Sequence, residues 1–600
     1  MNWNPSPPDD DGVSRRSFLA AGVTGAALTT SGCIDRVQSV VDQGEDEQFS
    51  LSITTVPADA DRQNVRIARR LEANLEKVGV DVSLDMRSRS ELLEAVLIDH
   101  NFDCYVGLHP AGYDPDFLYE ALHSTYANEA GWQNPFGFTN MAFDTHLENQ
   151  RRTDGDERER HVRAVLTGLA RAKPFDPICI PEEHRVARAN RFDGWSGGNL
   201  ATRHGYLGLE PADGVDRLHA LVTDSRMTRN LNPLSATLRN RGTTIDLLYD
   251  SLGTEHEGDV KPWLAESWEF AEVTSDSDSE TADGVPMRTA TITLREACQF
   301  HDGEPVTAED VAFTYKFLSD TSWGRAPVPS PAPRYRGHAD VIEEVTVDDD
   351  RELTVTVTGG RETVERAFTV PILPRHVWLE LIDQYATGGD FTAPQGRWSV
   401  VSGNNIPPVG SGPFQFDSRS EDESLVLQRF EEHFTLRDDV ELPEPTVEEV
   451  QFSVDPASNS SITRVEDGGA DVTATMLNAH SVPTIPDSPD LEHLRSPSRA
   501  FYHLGFNVRN APFSNPHVRR AVTQLLDKEA IATDVFYEKA TPVATPVTDE
   551  WVPGSLEWSG DDPVTPFAGT DGDLNVEAAK VAFERAGFRY DDNGRLLGGY

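Results

Sequence analysis

The spacing of apolar positions changes several times along the chain, and the changes mark out its elements. Leu51 to Val56 reads as a strand, and Gln63 to Val78 sets Val65, Ala68, Leu71 and Leu75 along one face of a helix. Val80 to Leu84 predicts a second strand, Glu91 to Ile98 a second helix, and Asp103 to Leu108 a third strand. This alternation predicts an α/β unit. A further helix covers 155–173, with Val162, Val165, Leu166 and Leu169 on one side and Arg and Glu on the other. An unpatterned, glycine-rich stretch at 194–215 then separates this unit from a new strand at Leu218 to Val222. Strand-rich material is expected from about 286 to 460, interrupted by an acidic loop at Thr274 to Glu280 and a proline-rich loop at 326–336. Helical periodicity returns at Val518 to Leu526 and Val576 to Ala586.

Six hundred residues are too many for one hydrophobic core, so two or more domains are expected. Acidic residues outnumber basic ones 100 to 53, for a net charge of -47. That field repels nucleic acid and anionic lipid head groups and excludes a role built on either. Hydrophobic residues make up 38% and include 27 Phe and 10 Trp, enough for packed cores despite a mean hydropathy of -0.46. Only seven of the basic residues are lysine. An acidic, lysine-poor surface of this kind resembles those of salt-adapted haloarchaeal proteins.

The N-terminus indicates a compartment. Ser14-Arg15-Arg16-Ser17-Phe18-Leu19 reads as a twin-arginine export signal, followed by an apolar, small-residue stretch ending in Ser31-Gly32-Cys33. The stretch is short for a membrane span. Its ending resembles a lipobox, in which Cys33 carries lipid and becomes the first residue of the mature protein. The bland alternative is a short core helix followed by an ordinary cysteine. Residues 34–49 then serve as a tether. Cys104, Cys179 and Cys298 are too few and too scattered for a disulfide framework and are expected as buried thiols.

Catalytic patterns find little support. Gly194-Trp195-Ser196-Gly197-Gly198 matches a nucleophile elbow, but Gly-Gly-Asn is a poor helix start and no partner Asp or His can be named. The acids of 276–280 lack the glycine of a calcium loop. No zinc, phosphate-loop or dinucleotide fingerprint is present, so neither metal nor cofactor is expected. Asn459-Ser460-Ser461 is a single glycosylation sequon.

A family resemblance carries more information. Trp263-Leu264-Ala265-Glu266-Ser267-Trp268-Glu269 is followed by Thr291 to Arg295 and by Gln299-Phe300-His301-Asp302-Gly303-Glu304-Pro305-Val306-Thr307-Ala308. Val409 to Phe414, Tyr502 to Asn507, Val518-Arg519-Arg520-Ala521 and Ala586-Gly587-Phe588 continue the pattern. Together these segments resemble the extracellular solute-binding proteins of family 5, the oligopeptide, dipeptide and nickel class that serves ABC importers. His301-Asp302-Gly303 itself reads as a turn, with Thr307 capping the next helix.

The resemblance implies an α/β fold of two lobes joined by a hinge, in the manner of type II periplasmic binding proteins. The family order is altered, however. Segments resembling the family's C-terminal part lie at the front: Leu71 to Val80, the ligand loop Phe102-Asp103 to Asp114-Pro115-Asp116-Phe117, and Asn140 to Asp144. The chain therefore resembles a circular permutant, with two truncated copies side by side as the alternative. On this reading 1–33 is the signal with lipobox, 34–49 the tether, 50–185 part of lobe II, 186–215 a crossing, 216–490 lobe I and 491–600 the remainder of lobe II. The hinge would lie near 491–505 and 176–190, and Tyr600 near the Phe49 strand.

The implied function is capture of an oligopeptide or similar solute between the lobes. Delivery would be to a membrane permease served by a separate ATPase, from a monomer on the outer face of the membrane held by its lipid alone. A sensor or surface binding protein of the same fold remains open, as do oligosaccharide and nickel chelates as ligands. Ligand contacts implied by position are Asn240, Arg241 and Thr243; Tyr502 and Asn507; and Leu108, His109 and Ala111. Tyr502 reads equally as hinge packing. Peptide-binding members place a carboxylate before the Asp-Pro of the ligand loop and, for dipeptides, an arginine after the strand matching 51–56. Leu108-His109-Pro110-Ala111-Gly112 after Gly107 lacks that anchor, Pro57-Ala58-Asp59-Ala60 stands after the strand with Arg62 the nearest cation, and Asp114 is the one nearby substitute. Free dipeptides are therefore not expected to be the best ligand, since a buried ammonium without a partner costs several kcal/mol. Longer peptides held chiefly through backbone hydrogen bonds, or a neutral solute such as an oligosaccharide, fit better.

Overall fold

The computed structural model describes residues 47–598, apart from 112–113, 196–199, 201, 239–242, 257, 272–286, 388–394 and 499. The export signal with Arg15, Arg16 and Cys33, the elbow serine Ser196, the acidic loop, Asn240, Arg241 and Tyr600 lie outside the described residues.

The α/β unit at the front is built as its periodicity dictates. Strand β1 (Ser50–Thr55) leads into helix α1 (Arg62–Lys77), capped by the Asp61 carboxylate and burying Val65, Ala68, Leu71 and Leu75. Strand β2 (Asp81–Met86) lies parallel to β1. Helix α2 (Arg89–Leu93) starts with a Ser88/Glu91 capping box and continues as a π turn over Glu94–Ile98. Strand β3 (Cys104–His109) pairs in parallel on the other side of β1. Helices α3 (Met141–Arg152) and α4 (Gly155–Ala172) pack against each other before β4 (Phe175–Arg188), a strand long enough to reach both lobes.

The next strand is β5 (Arg217–Val222), and the core it joins already includes Ala187, Phe192 and Leu209 from the stretch expected as a crossing. The family-like segments of lobe I form β6 (Ala265–Phe270), β7 (Arg288–Leu294), helix α5 (Ala308–Ser319), β8 (Ile342–Val347) and β9 (Glu352–Val357), whose strands make a separate sheet in the order β6-β7-β9-β8. The Thr307/Asp310 capping box starts α5, and the His301 N–H and imidazole bond Gly410 and Gly412 carbonyls, so His301-Asp302-Gly303 staples one loop to another. The stretch 286–460 is less strand-rich than its composition suggests. Besides α5 it holds α6 (Arg361–Ala367) and α7 (Arg375–Tyr385), where short apolar runs serve buried helix faces as well as they would a strand.

The lobe continues through β10 (Phe414–Ser420), β11 (Ser424–Arg429), β12 (Glu449–Val454) and β13 (Val472–Thr473). The chain then returns along β14 (Leu491–Pro497), antiparallel to β4, and enters β15 (Phe501–Phe506), between β3 and β4. Helix α8 (Pro516–Thr523), strand β16 (Ala540–Pro542) and helix α9 (Val576–Arg585) follow.

Among the described residues one twelve-stranded sheet runs β10-β11-β12-β5-β13-β4-β15-β3-β1-β2, with β14 and β16 also on β4. The cores divide accordingly. One cluster lies wholly within 187–494; a second joins Phe49, Leu51, Leu71 and Val106 to Leu504, Val522, Phe583 and Leu596. Segments 49–180 and 501–596 thus share a core, and β15 sits between β3 and β4 rather than in a unit apart. The Phe49 N–H donates to Leu596 O at 2.7 Å and Gly598 N–H to Glu47 O at 2.9 Å, so β1 starts beside residues 596–598. Cys104, Cys179 and Cys298 are buried free thiols. No described helix is long and apolar enough to cross a membrane.

Candidate functional site

Parallel strands present their following loops at one edge, and β1, β2 and β3 in lobe II face β5, β12 and β13 in lobe I. A cavity of about 480 Å³ opens where the carboxyl ends of these strands meet, the usual ligand crevice of such sheets. Lobe II contributes Asp59 to Asp61 after β1, Ser88 to Ser90 after β2, and Leu108 and Tyr502. Lobe I contributes Val222 to Met227 after β5, Phe452 and Pro456 around the end of β12, and Ala474 to Ala479 after β13. The spanning strand β4 adds Pro181, Glu182 and Arg185. The wall mixes aromatic and aliphatic surface with five basic and four acidic side chains.

Its charges are tied down to different degrees. Asp61 accepts from the Asn64 N–H at 3.1 Å and from the Tyr502 hydroxyl at 3.2 Å, with the Arg89 guanidinium 3.8 Å away. Burial pushes its carboxyl above the ordinary range, and Arg89 only partly offsets this. On the facing lobe Asp224 forks with Arg226 at 2.6–3.0 Å and reaches Arg89 across the cleft at 4.0 Å. Burial works against its ionisation, but Arg226 and then Arg89 hold it at about 2.

The residues singled out in the sequence divide by strand alternation. Leu108 and Tyr502 line the cavity. His109, one residue on, points to the opposite face of the sheet, stacked on Phe501 at 5.1 Å and buried. It is a core histidine rather than a ligand contact, and burial lowers its pKa to about 4. Ala111 packs in the same core. Asn507 closes the 100–102 turn through bonds to the His100 and Phe102 carbonyls and stands apart from the cavity. Asp114 is no substitute anchor: Arg158 holds it at 2.6 and 2.9 Å and Arg366 at 2.9 Å, away from the cavity wall. Thr243 begins a short helix whose next residue, Thr244, lines the cavity.

Asp61, Arg89, Asp224 and Arg226 were not among the expected contacts. A usable signal was present, because each follows a strand that the periodicity had located, at the end where ligands bind.

The profile of the bacterial extracellular solute-binding proteins, family 5 (middle region) matches residues 259–597. The chain belongs to this family. Among curated relatives, this family-5 chain is 23% identical over 306 residues to the oligopeptide-binding protein AppA of Bacillus subtilis, covering 50% of this chain and 49% of that protein. It is 22% identical over 310 residues to the dipeptide-binding protein of Escherichia coli, covering 49% and 52%. The chain thus spans about half the length of the curated relatives it matches. Among solved structures, AppA of B. subtilis in complex with a nonapeptide aligns over 63% of this chain and 65% of its own, at 20% identity and TM-score 0.43. The mannohexaose-bound binding protein of Thermotoga maritima aligns over 64% and 66%, at 19% identity and TM-score 0.42.

Proposed function

We propose that this family-5 protein is the solute-capturing component of an ABC importer, closing its two lobes on an oligopeptide or a solute of similar size. The observation that carries the reading is the cavity between the lobes, walled by the loops after β1, β2, β5 and β13. Ligand held by both walls favours the closed state, so affinity reflects closed-state contacts less the cost of closure. The closed shape is what a permease, energised by a separate ATPase, would read, and no catalytic step is assigned to the chain. A sensor of the same fold would use the same closure without transport.

The protein is read as exported through Arg15-Arg16 and held outside by lipid on Cys33. One chain of lipid binds only marginally, so a diether is the expected modification. The chain order is read as a circular permutation. The shared core of 49–180 and 501–596 and the contact between Glu47 and Gly598 support this over two truncated copies.

Uptake of a labelled tripeptide pool by cells making the wild type, the Cys33→Ser variant or no chain tests the import reading. Uptake that follows the membrane-held wild type is expected, with Cys33→Ser protein released to the medium. Equal uptake in all three contradicts it.

A further inference from the structure

Two of the apolar cores meet across a face that is largely polar. One core lies within 187–494, and another gathers Val96, Phe117, Leu122, Phe143, Leu147 and Val165 from the front of the chain. Of the described residues in 216–490, only Ala236 joins that second core. Hydrogen bonds run between the two instead. The Tyr126 hydroxyl donates to Asp340 at 2.8 Å, Arg151 Nη2 to the Gly337 carbonyl at 2.8 Å, and the Gly337 N–H to Glu120 at 3.0 Å. Polar faces of this kind are what separable domains present to each other.

Six charges on this face form a set that is balanced twice over. On the front side, Arg151 forks Asp116 at 2.7 and 2.8 Å, and Arg158 forks Asp114 at 2.6 and 2.9 Å. Opposite them, helix α6 carries Glu362 and Arg366. Glu362 accepts from Arg158, while Arg366 reaches Asp114 at 2.9 Å and Asp116 at 3.7 Å. Three arginines thus meet three carboxylates. Each side is also neutral by itself. If the faces part, both forks persist at the front, and Glu362 and Arg366 are left four residues apart on α6 with the acid N-terminal, the spacing and order that favour an intrahelical pair. Neither side strands a charge, so the heavy penalty for removing one partner of a buried pair does not arise. The Glu362 side chain is 48% exposed, which lets water reach the set during the exchange.

Resting on the two-lobe reading, we propose that Glu362 and Arg366 are a closure latch, giving up their pair along α6 for partners across the interface when the lobes come together. None of the six charges lines the cavity. The latch therefore biases closure without touching solute, and it lowers the closing cost that solute contacts must offset. Weakening it should reduce affinity for every solute alike, unlike a change in the cleft wall.

Small-angle scattering of the solute-free full chain in molar KCl tests this, with circular dichroism to confirm the fold of each variant. The wild type should have the radius of gyration of the closed arrangement described above. Glu362→Gln with Arg366→Gln should raise it. Glu362→Arg with Arg366→Glu keeps an intrahelical pair but sets like charges against Arg158 and Asp114, and should raise it most. Glu365→Gln should leave it unchanged, since that carboxylate bonds Trp268 and Arg361 on its own side. An unchanged radius in the charge variants overturns the proposal, as does a wild type already expanded, or an equal rise in Glu365→Gln. If the reversed pair does not fold, the neutral pair alone decides. No solute enters the measurement, so the latch can fail while the solute-binding reading stands on solute retention.

Discussion

Lys173, Asp176, Lys528 and Asp562 form a closed set of charges inside lobe II, with contacts of 2.5–3.0 Å and every side chain at most 3% exposed. Two of the chain's seven lysines are spent here, far from solvent. Removing one partner strands the others, so Asp562→Asn should cost about 3–5 kcal/mol in denaturant unfolding, whereas exposed pairs such as Arg229–Asp422 should cost under about 1 kcal/mol. The buried histidines set a pH dependence. Burial holds both His109 and His301 down to about 4, so each folds neutral. Their contribution is complete above the unfolded value of about 6.5 and is lost as pH falls toward 4, because the unfolded chain takes up protons that the folded chain refuses. Melting temperature should therefore drop across that interval, and His109→Phe should flatten the drop. Beyond the local pair Lys173–Asp176, the buried charge set could not be paired from sequence, because its other partners lie up to 389 positions apart.

At the scale of elements, β15 is buried along its whole length, and Gly505 is where it passes closest to another strand's ring. A Cβ there would overlap the Tyr105 ring and lie 2.9 Å from Phe136. Tyr105 cannot turn aside, since its hydroxyl bonds His503 at 2.7 Å. Gly505→Ala should therefore destabilise by about 1–3 kcal/mol, read by the denaturant midpoint with an unchanged slope. The helices of 50–172 were legible because each has one buried face and one wet face, and strands β1 and β3 because they are short apolar runs buried on both faces. Helices α6 and α7 were not, because short apolar runs do not distinguish helix from strand. In the site, alternation decided which neighbours mattered. Leu108 and Tyr502 face the cavity and His109 the core, a difference of one residue that fold resemblance does not resolve.

At the scale of the molecule, one sheet runs through β4, and segments 49–180 and 501–596 share a core. A chain reordered to begin at Gly214, pass from Gly598 through a short glycine-serine linker to Glu47, and end at Asp213 should fold with the same circular dichroism. Its new ends fall at exposed residues, and its linker spans a contact that already exists. Failure of that chain to fold would favour two truncated copies over permutation. Fold class and family were legible at this scale, since they rest on many weak segment matches; the cleft's charges were not, since they depend on which loops meet.

The central claim, that the cleft holds a solute, is tested most directly by mass spectrometry of what the protein retains. The full chain and a Ser90→Trp variant, which fills the cavity wall, would be dialysed against mixed short peptides and oligosaccharides in molar KCl, washed and denatured. The account predicts about one solute molecule released per wild-type chain and none from Ser90→Trp protein of matching circular dichroism. No solute from the wild type, or equal release from both, would contradict it.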